Sequence, residues 1–223
     1  MDLIKANVAL ADDSSVSVVL RDYAIAAAIF LAHAEFENYF VYVLSDLAGT
    51  YTSAAGDATK LPSRLRAHLI TTRLNLEGLA PKLVSRSRDQ EVFSIIERWF
   101  TAADNKLIAG TAPLPVISGG DIFGDSTYPS IKNIEKILKR LGVGDPKGEL
   151  NRIGGGKDIV GLLESISSLR TALAHSATLP GVNVSDVHQR IDGLKEFVLA
   201  FDKIVFNQVL TSLSVSDWQA HMC

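Results

Sequence analysis

The sequence has almost no cysteine. Of 223 residues only Cys223, at the very end, is one, which excludes an internal disulfide framework and a cysteine-built zinc site and fits a reducing compartment. It also lacks an excess of either charge: 22 Lys and Arg stand against 25 Asp and Glu, a formal net charge of -3. The protein as a whole therefore does not attract nucleic acid, and any RNA site must be a local patch. Long hydrophobic runs are missing as well, because the most apolar stretch, Tyr23 to Ala34, meets Glu35 and Glu37 before it could span a bilayer. The opening MDLIKANVALADDSSV carries Asp2, Asp12 and Asp13 and has no basic start followed by an apolar run, so it does not read as a secretory signal. These absences predict a cytoplasmic protein with no membrane partner.

The usual catalytic signatures are absent too. The run Gly154, Gly155, Gly156, Lys157 lacks the spacing of a phosphate-binding loop and is followed by Asp158, so nucleoside triphosphate binding is rejected. No dinucleotide fingerprint appears, and no serine or cysteine nucleophile stands beside a base. His33 and Glu37 offer two ligands where a metal's coordination shell needs more. No cofactor and no metal site are expected.

What the sequence does have is helical periodicity around enough apolar material, 47% of residues, to bury one core. The pattern predicts an all-α antiparallel helical bundle forming a single domain over residues 1–223, with a long Gly- and Pro-containing connector. After a polar lead ending at Ser14 and Ser15, a helix is predicted over about 16–47, where no Gly or Pro intervenes. Gly49 to Thr59 reads as a loop. A second helix follows Pro62, with Leu65, Leu69 and Leu74 on its buried side. A third follows Ser87 as N-cap, with Val92, Ile95, Ile96, Trp99 and Phe100 as its core stripe and Trp99 read as packing. Between Lys60 and Arg88 the chain is clearly basic, through Arg64, Arg66, Arg73, Lys82, Arg86 and Arg88. This is either a solvated surface or a set of contacts to RNA phosphates.

Ala109 to Ser130 forms the connector, leading through Tyr128 and Pro129 into a helix closed by Gly142. Gly154 to Gly156 reads as a flexible turn into a central helix, with Asp158 as its N-cap or a first-turn carboxylate. Ser185 and Asp186 are expected to cap a last helix through Leu213, antiparallel to the central one. His188, near its start, is a candidate for facing RNA close to His175.

The central helix carries the candidate chemistry. Leu162, Ile166, Leu169 and Leu173 recur at the spacing of a core seam, and on it sit Arg170, a permanent cation, and His175, the side-chain type that titrates near neutrality. Five residues advance a helix by roughly 500°, which leaves the two about 140° apart. Three arrangements would let one phosphate use both: the helix loosens before His175, the Arg170 side chain reaches round, or a second subunit completes each site. On an earlier helix Glu37 falls within the apolar stripe Phe30, Ala34, Val41, Leu44 and so should have a partner, with Arg170 as the first candidate and pairing with His33 or reach to solvent as the alternative.

The sequence RTALAH followed by Ser176, on the central helix of an all-helical chain, resembles the HEPN superfamily of ribonucleases. FLAHAEFENYFVYVLSDLA and YPSIKNIEKILKRLGVGD are similar to segments of its RiboL-PSP-type branch, and with the last helix the resemblance covers most of the chain. Where the family usually has Asn, Asp or His after the arginine, this chain has Thr171, whose hydroxyl can still donate and accept a hydrogen bond. The resemblance implies an acidic residue on the first long helix near the catalytic helix, here Glu37. It also implies a metal-independent endoribonuclease and a homodimer whose two motifs face each other across one cleft. Such enzymes belong to toxin, defence or stress-response systems, with an antitoxin or regulatory protein as a further partner.

RNA supplies its own nucleophile, the 2'-hydroxyl. The protein then needs a proton carrier, assigned to His175, and a cation for the developing phosphorane charge, assigned to Arg170. Two other readings stay open: a non-catalytic helical module binding RNA, a nucleotide or a partner protein, and a purely structural role in which Arg170 pairs with Glu37.

Overall fold

In the computed structural model, the described residues are 1–13, 15–73, 76–84, 89–101, 105–124, 128–176 and 181–213. Ser14, Leu74, Arg86, Ser87, Arg88, Pro180 and Cys223, and the side chains of Phe100 and Ser176, lie outside them. Among the described residues the chain is all-α, with no strand. The helices are α1 (Asp2–Ala9), α2 (Val18–Ala54), α3 (Ser63–Arg73), α4 (Leu76–Val84), α5 (Asp89–Thr101), α6 (Asn105–Ala109), α7 (Gly119–Phe123), α8 (Ile131–Arg140), α9 (Pro146–Ile153), α10 (Ile159–Ser176) and α11 (Val184–Leu213). No helix is long and apolar enough to cross a membrane among these residues.

Backbone contacts group the chain into two compact units. One comprises Met1–Val41, Ser126–Glu135 and Asp145–Val205, the other Tyr42–Asp125, Lys136–Gly144 and Phe206–Cys223.

The first unit is built on aromatic packing between α2 and α11. Phe36 meets Phe197 edge-on at 5.6 Å and Phe40 lies 5.3 Å from Phe201, all four fully buried. Removing one such ring costs about 3–5 kcal/mol. Ile25, Ile29 and Ala32 of α2 extend this core, as do Val187, Ile191 and Leu194 of α11. A short hydrogen bond from the Tyr39 hydroxyl to Asp202 ties the same two helices. Burial raises the Asp202 carboxyl above its ordinary value, against the opposing effect of that bond, and burial with the nearby carboxylate raises the Tyr39 phenol.

The turn into α10 is shaped by its glycines. Gly155 and Gly156 adopt φ of 73° and 81°, and a Cβ on Gly154 would come within 2.2 Å of the Ile159 side chain, so only glycine fits. The amide of Gly156 bonds Asn151 O, and the Asn151 side chain accepts from the amide of Val160. Asp158 caps α10 as predicted, accepting from the amide of Gly161 at 2.9 Å. The α9 helix that precedes the turn has no counterpart in the sequence reading; Asp145 caps it and Pro146 opens it. Asn183, not Ser185, caps α11, through a reciprocal pair of bonds with Asp186. Leu162 packs against Gly193 and Lys157 pairs with Glu196 at 2.6 Å, so α10 and α11 run antiparallel.

In the second unit α2 continues through the predicted loop as far as Ala54. Burial of Leu47, Ala48 and Tyr51 outweighs the weak helix preference of Gly49 and the hydroxyl residues, while Thr50, Thr52 and Ser53 bond back to carbonyls one turn earlier. The connector is ordered where described. Leu114, Ile117, Ile122 and Phe123 are buried, and Ser118 with Asp121 forms a capping box at α7. Two of the arginines predicted as surface or phosphate contacts are structural: Arg66 donates to the carbonyls of Leu107 and Ile108, and Arg73 to Asp121 and Val116 O. Leu65, Leu69 and Val92 are buried and Trp99 is half-buried, and Gly142 closes α8 with φ 98°.

Candidate functional site

The site lies in the first unit, where α10 passes α2 and the approach to α8. The buried side of α10 is made by Ile159, Leu163, Ile166 and Leu173, while Leu162 and Leu169 are only half-buried. At helical spacing Arg170 falls inside this buried stripe, between Ile166 and Leu173. A cation placed there must find something to cover it. Its guanidinium carbon lies 5.8 Å from the ring centroid of Tyr128, over the ring face.

Tyr128 is the hub of a small polar network. Its hydroxyl is 3.0 Å from Nε2 of His33, and the two rings stack with centroids 5.3 Å apart. Nδ1 of His33 is 3.2 Å from Oε1 of Glu37. The neutral tautomer that satisfies both contacts carries its proton on Nδ1, donates it to Glu37, and accepts from Tyr128 on Nε2. His33 is only 3% exposed and is the one buried polar residue among the described residues. Burial pushes its pKa below the ordinary value and the Arg170 charge adds to this, against the pull of Glu37.

Of the two partners expected for Glu37, the structure forms the pair with His33, and Arg170 takes the tyrosine ring instead. Most of the apolar stripe on which Glu37 was placed is turned outward: Phe30, Ala34 and Val41 are exposed while Leu44 is buried, and the core is met by the neighbouring row through Ile29, His33, Phe36 and Phe40. Glu37 therefore keeps one side in water, its side chain 40% exposed.

Beside the network runs an open surface groove of about 600 Å³. Its walls are Tyr128 and Ser130 on one side and Glu164, Ser167, Ser168 and Thr171 of α10 on the other, with Ile131, Leu163 and Ala172 completing it. This lining is rich in hydroxyl groups and has one carboxylate. Thr171 donates its hydroxyl to Ser167 O at 3.0 Å, leaving the oxygen able to accept. His175 is exposed in the last turn of α10, one turn beyond Thr171 and on the same helical face as Glu164, Ser168 and Thr171.

The helix runs unbroken through Ser176, so it does not loosen before His175, and Arg170 and His175 stay on different faces. Tyr128 carries the cation on its ring and forms the wall opposite Thr171, and His175 is not among the residues that line the groove. Tyr128 and His33 were missed as site residues by the sequence reading, although each lies in a segment that carries the family resemblance. Their signal was an aromatic three residues before a predicted helix and a histidine in an apolar row. His188 is not part of this site; its ring bonds the carbonyl of Lys5 at 3.1 Å and borders a separate groove along α11. No group of three or more His, Cys, Asp or Glu gathers to hold a metal among the described residues.

These features define an all-helical HEPN-type domain with an Arg–His motif on a late core helix. The chain belongs to the RiboL-PSP-HEPN family, whose profile matches residues 1–207. No curated protein and no solved structure matches it.

Proposed function

We propose that the protein is a metal-independent endoribonuclease of the HEPN type, acting in a toxin, defence or stress-response system. RNA binds along the hydroxyl-lined groove, with the 2'-hydroxyl of the substrate attacking the adjacent phosphate. Arg170 binds that phosphate and stabilises the charge of the transition state, and His175 carries the proton. Thr171 contributes an oxygen acceptor to the groove wall, and Glu37 holds His33 in the tautomer that accepts from Tyr128. A second copy completes the cleft, supplying an acid where one subunit supplies a base.

The observation that carries this reading is Arg170 itself. It is a guanidinium set in a core stripe, hydrogen-bonded to no described residue, lying over the ring of Tyr128, which also lines an open groove carrying several hydroxyl groups. An arginine serving only the fold would spend its donors on carbonyls or carboxylates, as Arg66 and Arg73 do.

The test is to incubate the purified protein with mixed RNA in the presence of chelator, beside Arg170→Ala and His175→Ala. Cleavage by the parent alone is expected, and equal cleavage by all three would remove the assignment. Binding without cleavage, lost in Arg170→Ala, would transfer the site to the non-catalytic RNA-binding module.

A further inference from the structure

The groove beside Tyr128 holds one group that phosphate chemistry leaves without a task. Glu164 is the one charged side chain among the described residues that line it. It is exposed, and its carboxylate makes no hydrogen bond or ion pair with a described residue. A groove that took only the sugar–phosphate strand would gain nothing from a fixed negative charge, which repels every phosphate that passes it. A carboxylate there is of use only against the parts of RNA that carry donors, the base edges and the 2'-hydroxyls.

The rest of the lining decides between them. Glu164 and Thr171 stand seven residues apart on α10, which returns the helix to within about 20° of the same face and separates the two by about 11 Å along the axis. They mark two ends of the groove, the second toward His175. The lining also includes the apolar side chains of Ile131, Leu163 and Ala172, a surface against which a planar ring can lie. Ser168 and Thr171 give their hydroxyl protons to the carbonyls of Glu164 and Ser167 and are left as acceptors. Ser130 and Ser167 keep theirs: the Ser130 oxygen accepts from the amide of Asn133, and the Ser167 hydroxyl bonds to no described residue. The groove thus presents a two-oxygen acceptor at one end and hydroxyl donors elsewhere along it.

Guanine alone among the four bases places two donors side by side on its Watson–Crick edge, N1–H and the N2 amine, with the acceptor O6 next to them. Both donors meet the two carboxylate oxygens in parallel, the arrangement that makes bidentate pairs strong, and O6 is left to accept from a hydroxyl. A 2'-hydroxyl offers a single donor and uses half of the carboxylate. Adenine and cytosine set a bare ring nitrogen beside their amine, and uracil flanks its one N–H with two carbonyls. Each of these brings a lone pair against the negative charge, so the same group that attracts guanine rejects the others.

We propose that Glu164 is the specificity-determining residue of the groove, reading a guanine base of the RNA beside the phosphate bound by Arg170. This assignment rests on the proposed function in taking RNA as the ligand, and binding and cutting are tested apart.

The test uses the intact protein and hexanucleotides of uridine, either unbroken or with one central guanosine, inosine, adenosine or cytidine. Cleavage is mapped on the ribose forms, and binding is measured by fluorescence anisotropy on the 2'-fluoro forms, which lack the nucleophile. The parent is expected to cut and to bind the guanosine sequence about 10–100-fold better than the adenosine, cytidine and all-uridine ones. Inosine, which lacks the N2 amine, should fall between. Glu164→Ala should level the bases, and Glu164→Gln, whose amide presents one donor and one acceptor, should admit adenosine beside guanosine. Equal binding of all sequences by the parent, binding of none, or a guanosine preference that survives Glu164→Ala would overturn the assignment. Guanosine-selective binding that is lost in Glu164→Ala, with no cleavage, would uphold it and remove the ribonuclease reading. Cleavage without base preference would do the reverse.

Discussion

Each compact unit contains an arginine, a carboxylate and a histidine in close company, and the two groups are built in opposite ways. In the second unit Arg73 grips Asp121 and the carbonyl of Val116, Arg140 donates to the carbonyls of Ile122 and Phe123, and His68 sits half-buried beside them. Burial works to raise the Asp121 carboxyl, but its bonds from Arg73 and Ser118 prevail and hold it below the ordinary range. In the first unit the carboxylate of Glu37 goes to the histidine, and Arg170 is left with a π face beside a groove. Where the donors go to a carboxylate and to carbonyls, the cation is structural. Where the carboxylate goes to a histidine, the cation is left on the ring face, which is the basis of the role proposed for it.

The largest effect expected from this contrast is on activity. Arg170→Ala should lower the rate of RNA cleavage by about 10²–10³-fold, the usual loss on removing a group that stabilises transition-state charge, while costing only about 0.5–1 kcal/mol of stability for a partly exposed cation–π contact. Arg73→Ala should do the reverse. Leaving Asp121 partly buried and unpaired should cost about 3 kcal/mol in urea unfolding, with cleavage per folded molecule unchanged. If Arg170→Ala unfolds the protein and Arg73→Ala inactivates it, the contrast is wrong.

A finer effect is expected at the hub. Tyr128→Phe keeps the ring under Arg170 but leaves Nε2 of His33 buried without a donor, a loss of about 1 kcal/mol with cleavage largely retained. Tyr128→Leu should lose the cation–π contact as well, about 0.5–1 kcal/mol more, and lose cleavage. Equal cleavage by both variants would show that the ring does not position the arginine.

The smallest effect is on pH dependence. Burial lowers the pKa of both His33 and His68, with Arg140 adding to the effect at His68. The unfolded chain therefore takes up these protons at a higher pH than the folded one, and stability contributed by the neutral rings is lost as pH falls below about 6.5. His68→Gln should flatten that part of the stability profile, measured by urea midpoints between pH 7 and 5. An unchanged slope would place the acid sensitivity elsewhere.

The helices were legible in the sequence because α2, α8, α10 and α11 carry long, regular apolar periods. Asp158 and Gly142 were legible because capping chemistry is local. The extension of α2 past Gly49 was not, since it depends on burial of Tyr51 by residues distant in the chain. Nor was the outward turn of Phe30, Ala34 and Val41: two adjacent apolar rows on one helix look alike until something packs on one of them. The same limit shifted the α10 seam by one residue, from Leu162 and Leu169 to Leu163 and Arg170. That shift matters, because it moves the arginine from the edge of the core to its middle. Arg170, Thr171, His175 and Glu37 were named from spacing and resemblance, whereas Tyr128 and His33 required the fold, because their meeting spans 95 residues of chain.

The Tyr39–Asp202 latch acts in the opposite sense to the two histidines. Its carboxyl titrates higher in the folded than in the unfolded chain, so the stability it offers is full in acid and fades as pH climbs through the raised value. Acidification thus weakens the fold at His33 and His68 while relieving it at Asp202. The molecule carries its own counterweight, and Asp202→Asn, which fixes that position uncharged, should leave a protein firmer at neutral pH yet more steeply undone by acid than its parent.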